Sequence, residues 1–340
     1  MIRMTRIAAM LGLFLNVAFA VSHAADPSAR VEPFHGYDQA IVLTRGNATA
    51  VLCPQVGGRV LEFSVDGRNA MQLDEADKAW RPGDKPQVTA GRFDYGPELT
   101  TIPHPTLWSG EWSGEITGES SARLTSPRDE AAGIQLIRDF ELAAGDDGAT
   151  VHLICRQTIR NICGDIREVC HWGRSFSPGG GICLIPLGDS PSRFPSKYAM
   201  YEDSAIINVR NTDDQIRVRD GFLEILAPPR KPKLGFDTMA GWFGYLMPNN
   251  TLFVKRFATF PDRVYNEAAG LTMSVWYPPA TRIELEPIGP REQLAPGESA
   301  SFVEDWWLLP FPFPAQGEQV DLAAVQSLVT TRTSPPQVAH

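Results

Sequence analysis

The stretch Val169-Cys170-His171-Trp172-Gly173-Arg174-Ser175-Phe176 sets an imidazole, an indole and a guanidinium within four residues of one another. An imidazole titrates near neutrality and can give or take a proton. A guanidinium presents a planar fork to hydroxyls or a carboxylate, and an indole offers an apolar plate with an N–H at its edge. This is more polar and aromatic equipment than a plain sheet edge needs. More than a hundred residues on, Arg282, Glu284 and Glu286 alternate with Ile283 and Leu285. That period of two puts the charged set on one strand face, which is either solvated or lines a ligand cleft. Glu284 and Glu286 are equivalent by this test. Upstream, Arg92 and Asp94 in Gly91-Arg92-Phe93-Asp94, His104 before Pro105, and Trp108 and Trp112 are further pocket candidates. Each also has an ordinary reading, as a surface-loop residue or a core aromatic.

Other chemistries find less support. The glycines at 179–181 are followed by Ile182-Cys183-Leu184-Ile185-Pro186, which reads as a strand, whereas a phosphate cradle opens onto a helix. His104, His152 and His171 lack the close spacing of a zinc set, so no metal is expected. Cys53, Cys155, Cys163, Cys170 and Cys183 contain no C-x-x-C pair and are expected to be free thiols.

The elements that must position these residues are strands nearly throughout. Runs at 40–44, 48–53 and 59–65 are separated by Gly, Asn and Pro as in a meander. At 133–142 Ile134, Leu136, Phe140 and Leu142 take alternate positions, with Arg138 the exception. Val151, Leu153, Cys155 and Ile159 repeat the pattern beyond a hairpin turn at 145–148, with His152, Arg156 and Thr158 on the opposite face. Further strands are expected at 241–247, 251–259, 271–277, 282–286 and 301–309, and one helix at 320–330. Residues 74–86, 188–195 and 228–232 read as loops, and Pro310-Phe311-Pro312-Phe313-Pro314 cannot continue a central strand. The fold class is therefore all-β, a large antiparallel β-sandwich with few short helices.

The chain has 340 residues, 31 Lys and Arg against 40 Asp and Glu, and a formal net charge of −9. Its basic residues are scattered singly, which argues against nucleic acid or an anionic membrane as partner. Arg3 and Arg6 precede an apolar run at 7–21, and Ser22-His23-Ala24 supplies small residues at the cleavage positions. This is the pattern of a signal peptide over 1–24, implying a periplasmic or secreted protein. The run, interrupted by Asn16, falls short of the roughly 20 apolar residues of a membrane span, so no membrane anchor is expected. One domain over 27–310 and a tail over 311–340 would follow.

Several segments, in order, resemble the galactose mutarotase-like superfamily, the aldose 1-epimerases and their sugar-binding relatives. Pro54-Gln55-Val56-Gly57-Gly58-Arg59-Val60-Leu61-Glu62-Phe63 with Asp66-Gly67-Arg68-Asn69 is similar to that family's opening hairpin, and the hairpin over 133–161, ending in Arg160-Asn161, to its central stretch. His171 lies where mutarotases carry an H-x-Y-F motif. Glu284-Leu285-Glu286-Pro287-Ile288-Gly289-Pro290 and Leu294-Ala295-Pro296-Gly297-Glu298-Ser299 are similar to the family's E-P and L-x-P-G-E-S stretches. The resemblance covers residues 38–310. It implies a carbohydrate partner, small or oligomeric, no cofactor, and anomer interconversion with His171 as acid and Glu286 as base across one pocket. Arg92 and His104, matching the family's G-R and H-G-G positions, would orient the sugar, with Asp94, Trp108, Trp172 and Arg174 beside it. Arg174 would favour acidic sugars such as uronates, unless it pairs with Glu168. Trp172-Gly173-Arg174 replaces the family's aromatic pair, which leaves open a non-catalytic carbohydrate-binding protein.

Overall fold

The computed structural model describes residues 26–87, 89–147, 150–203, 206–279 and 281–337. The expected signal peptide lies outside the described residues. Two antiparallel sheets, of thirteen and ten strands, pack face to face. Only three α-helices, Glu75–Lys78, Pro105–Ser109 and Leu322–Arg332, accompany them among the described residues.

Alternation is clearest where a strand buries one face against the opposite sheet and leaves the other partly open, as Ile134–Ala144 does. The expected runs at 48–53 and 59–65 are the observed strands Ala48–Cys53 and Arg59–Val65. Ile134–Ala144 and Val151–Asn161 pair from Ile134 with Asn161 to Ala144 with Val151. Leu136, Phe140, Leu142, Leu153, Cys155 and Ile159 all join the main core. Arg138, which broke the alternation, also points inward. Its guanidinium donates to the Gly58 carbonyl at 2.7 Å and the Gly91 carbonyl at 3.2 Å, so a buried cation bridges backbone acceptors of the other sheet.

Two expectations shift. The segment 74–86 contains the short helix Glu75–Lys78, because buried Asp77 is drawn in by Arg59 at 2.8 Å and the Tyr37 hydroxyl at 2.7 Å. The terminal helix runs Leu322–Arg332, two residues later than expected, and Asp321 caps it by accepting from the Ala324 N–H. Its buried Leu322, Val325 and Val329 cover Trp307, Leu309 and Trp242 on the outer face of the ten-stranded sheet.

The strands that matter for the site are neighbours in the thirteen-stranded sheet. They run in the order Gly91–Gly96, Arg167–Pro178, Arg282–Pro287, Met273–Trp276, Lys233–Phe236. Arg92 stands opposite Arg174 and Asp94 opposite Trp172. Phe176 stands opposite Glu284, Glu284 opposite Trp276, and Trp276 opposite Lys233. Cross-strand partners lie within about 5.5 Å, so this register gathers residues from five distant segments onto one outer face.

Candidate functional site

Strand phase divides Arg167–Pro178 between two environments. His171, Gly173 and Ser175 face the second sheet, whereas Cys170, Trp172 and Arg174 face outward. His171 is fully buried, with its ring stacked between Phe93 and Phe302 at 6.0 and 5.8 Å. One ring nitrogen bonds the Ala300 carbonyl at 3.0 Å, and Nδ1 has no partner among the described residues. Burial lowers its pKa to about 4, so the ring is neutral at pH 7. His171 therefore does not share a cleft with Glu286. The expected acid is a core side chain, one residue out of phase with the outward face. Gly173, next along, is required for close approach: a Cβ there would lie 1.7 Å from Glu304 Oε1 of the opposite sheet. Lys255 meets that carboxylate at 2.8 Å and also donates to Ser175 Oγ at 3.1 Å, both charges being fully buried.

The outward face builds a charged floor. Glu286 accepts from the Trp172 indole N–H at 2.7 Å and from Lys233 Nζ at 3.0 Å. Burial pushes its carboxyl up to about 7, against the pull of Lys233 and with the help of neighbouring Glu284. Glu284 behaves differently. Burial would raise it too, but Arg174, with Nε at 2.7 Å and Nη2 at 3.3 Å, holds it below the usual carboxylate range. Of the two carboxylates that strand phase left equivalent, the ionised Glu284 borders the cavity, whereas Glu286, poised near neutrality, is fully buried beneath Trp172 and Lys233. Arg174 also approaches Asp94 at 3.6 Å, and it pairs with these acids rather than with Glu168.

At one end His104 Nε2 meets Asp94 Oδ1 at 2.8 Å, and His104 Nδ1 meets the Ile102 carbonyl at 2.7 Å. Burial lowers the imidazole pKa, but Asp94 outweighs it and raises the net value. Arg92 is close by yet covered: its guanidinium lies 3.5 Å from the Trp108 ring centroid, and Nη2 donates to the Trp108 carbonyl. Only 1 % exposed, with Nε and Nη1 unpartnered among the described residues, Arg92 props the Trp108 helix from beneath and does not reach the open cleft. Burial first, then Arg59 and Arg174, depress its pKa.

The structure thus brings Glu284, Arg174, Asp94, His104 and Trp108 to one open face, places Arg92, Trp172 and Glu286 beneath it, and sends His171 to the other side. His152 lies on neither surface of this sheet, but stacks on Trp307 at 3.9 Å in the ten-stranded sheet, so the three histidines are dispersed. Above the floor opens a cavity of about 800 Å³ bordered by Trp108, Arg174, Glu284, Lys233 and Trp276. An adjoining hollow of about 370 Å³ at Asp94 and His104 shares Trp108 and Arg174 with it. Sequence reasoning missed Lys233, which directly follows a proline-rich segment read as loop. It also missed Trp276, although phase alone puts that indole on the polar side of a strand whose Met273 and Val275 face the core.

No family model matches the chain, and no curated protein matches its sequence. Solved structures do match its fold. A galactose mutarotase-like protein from Clostridium acetobutylicum superposes with a TM-score of 0.58 at 14% identity, over 84% of this chain and 99% of that one. One from Lactobacillus casei gives 0.55 at 11%, over 79% and 100%. A galactose mutarotase related enzyme from Lactobacillus acidophilus gives 0.55 at 10%, over 81% and 98%. At such identities the likeness is one of fold.

Proposed function

We propose that this chain, with its galactose mutarotase-like fold, binds a carbohydrate in the cleft between Trp108 and Trp276. The observation that carries the reading is the floor itself: the Arg174–Glu284 fork and the Lys233–Glu286 pair lie between partly exposed indoles. Charge pairs of this kind offer donors and acceptors side by side, which suits hydroxyl groups, and indoles suit the C–H faces of pyranose rings. The leader read in the sequence supports an exported protein, acting in the periplasm or outside the cell.

A second reading, anomer interconversion, is favoured by the raised Glu286 carboxyl, since an acid–base group works best near the operating pH. Two carboxyls whose environments drive them apart are a recurrent acid–base arrangement. With His171 in the core, the proton donor in this reading is His104, which has to exchange its bond to Asp94 for one to the sugar before it can donate. Titration of a panel of neutral and acidic sugars by NMR tests binding. Exchange spectroscopy on the same samples tests interconversion. Faster anomer exchange with wild type than with Glu286→Gln supports the second reading. Binding without exchange leaves the first alone, and no binding removes both.

A further inference from the structure

We infer that the cleft takes an uncharged oligosaccharide, and that Trp276 with Phe176 and Arg282 forms a second sugar subsite beside the Glu284–Arg174 floor. This rests on the carbohydrate reading of the cleft. Three observations support it.

The first is extent. Ligand sites span roughly 300–1,000 Å³. The hollow at His104 is about 370 Å³ and already falls in that range. The open cavity that continues past Trp108 toward Trp276 adds about 800 Å³, more room than one pyranose fills.

The second is how the far end is built. Trp276 is partly exposed on the outer face, although its strand is otherwise buried. Phe176 meets it edge-on at 6.3 Å. The Arg282 guanidinium lies 5.4 Å from the Phe176 ring and 5.7 Å from the Trp276 ring, and Asp74 holds it at 2.8 Å. An aromatic plate is thereby fixed in place, with a guanidinium edge beside it. Because Trp276 stands opposite Glu284 in the sheet, the plate adjoins the floor directly.

The third is charge. Arg174 is engaged by Glu284 and Asp94, Lys233 by Glu286 and Glu98, and Arg282 by Asp74. At the rim Arg230 pairs with Glu202 at 2.6 Å. A uronate or sugar phosphate entering here meets cations already matched by carboxylates, and it has to displace one of them at a desolvation cost. Hydroxyl groups need no such displacement.

Isothermal titration with the full chain tests this. The probes are glucose and galactose, their β-1,4- and α-1,4-linked di- and trisaccharides, glucuronate and glucose 6-phosphate. In at least one neutral series the trisaccharide is expected to bind about tenfold more tightly than its monosaccharide. Trp276→Ala is expected to weaken the trisaccharide more than the monosaccharide and so erase that gain, and Trp276→Phe to keep most of it. Equal affinity for one and three sugars in every series, equal weakening of both by Trp276→Ala, or preference for the anionic sugars overturns the subsite while the carbohydrate reading stands. Absence of binding by every probe removes both. The length dependence is read on wild type, so the inference remains open to refutation even if Trp276→Ala fails to fold.

Discussion

Trp172 donates its indole N–H to Glu286 across 2.7 Å, joining two strands of one sheet beneath the cleft. The side chain that reaches the glutamate is thus the neighbour of His171, and the histidine faces the opposite way. The bond favours the ionised carboxylate, so it opposes the burial that raises Glu286.

Replacing Trp172 by Phe keeps an apolar ring but removes that donor. The Glu286 carboxyl is expected to titrate above about 7, its present value. The fold should lose about 1–3 kcal/mol from the missing bond to a buried acceptor. Carboxyl-carbon NMR across pH 5 to 9 reads the first effect. An unchanged or lowered midpoint would show that the indole does not tune Glu286.

His171 and Glu286 are expected to pull stability in opposite directions over one pH window. The imidazole is lowered from 6.5 to about 4 by burial, so its contribution is intact above pH 6.5 and is lost as pH falls toward 4. The carboxyl is raised from 4.5 to about 7, so its contribution is intact below pH 4.5 and is lost as pH rises toward 7. Relative to wild type, His171→Phe should gain stability as pH falls and Glu286→Gln should gain it as pH rises. Each gain should be about 1.4 kcal/mol per pH unit. Urea denaturation of the three proteins at pH 4.5, 5.5 and 6.5 measures it. Parallel curves for all three would refute the assignment.

Lys255 and Glu304 form an ion pair wholly enclosed between the sheets, 2.8 Å apart. Glu304→Gln leaves a buried ammonium without its counter-charge and is expected to cost about 3–5 kcal/mol. The double variant Lys255→Met, Glu304→Leu removes both charges and should recover most of that loss. A double variant as unstable as the single one would mean that the Gln157 and Trp306 donors left without Glu304, or the packing around them, outweigh the charge.

Gly173→Ala brings a Cβ against the same carboxylate, and overpacking of this kind costs about 1–3 kcal/mol. In a Glu304→Ala background the added methyl has room. A double-mutant cycle by thermal or chemical denaturation should therefore give strong coupling between the two positions. Additive losses would place the strain elsewhere.

The sequence by itself determined the longer alternating strands and the division of side chains within them, while strands such as Ser113–Gly118, Phe222–Ile225 and Lys233–Phe236 went unread. Alternation put Ile283 and Leu285 on one face and Glu284 and Glu286 on the other; the first pair lies in the core between the sheets, and of the second Glu284 borders the cavity while Glu286 is buried beneath it. Phase works there because one face is apolar and the other charged. On Arg167–Pro178 both faces are buried, so alternation separates His171 from Trp172 without saying which of them packs against the second sheet. Only the tertiary structure decided that, by setting Phe302 and Ala300 of the opposite sheet against the imidazole and Glu286 against the indole. Register was likewise beyond the sequence. The row Phe176, Glu284, Trp276, Lys233 joins four strands, and the hydrogen-bond ladder that aligns them depends on the packing of both sheets rather than on any one segment.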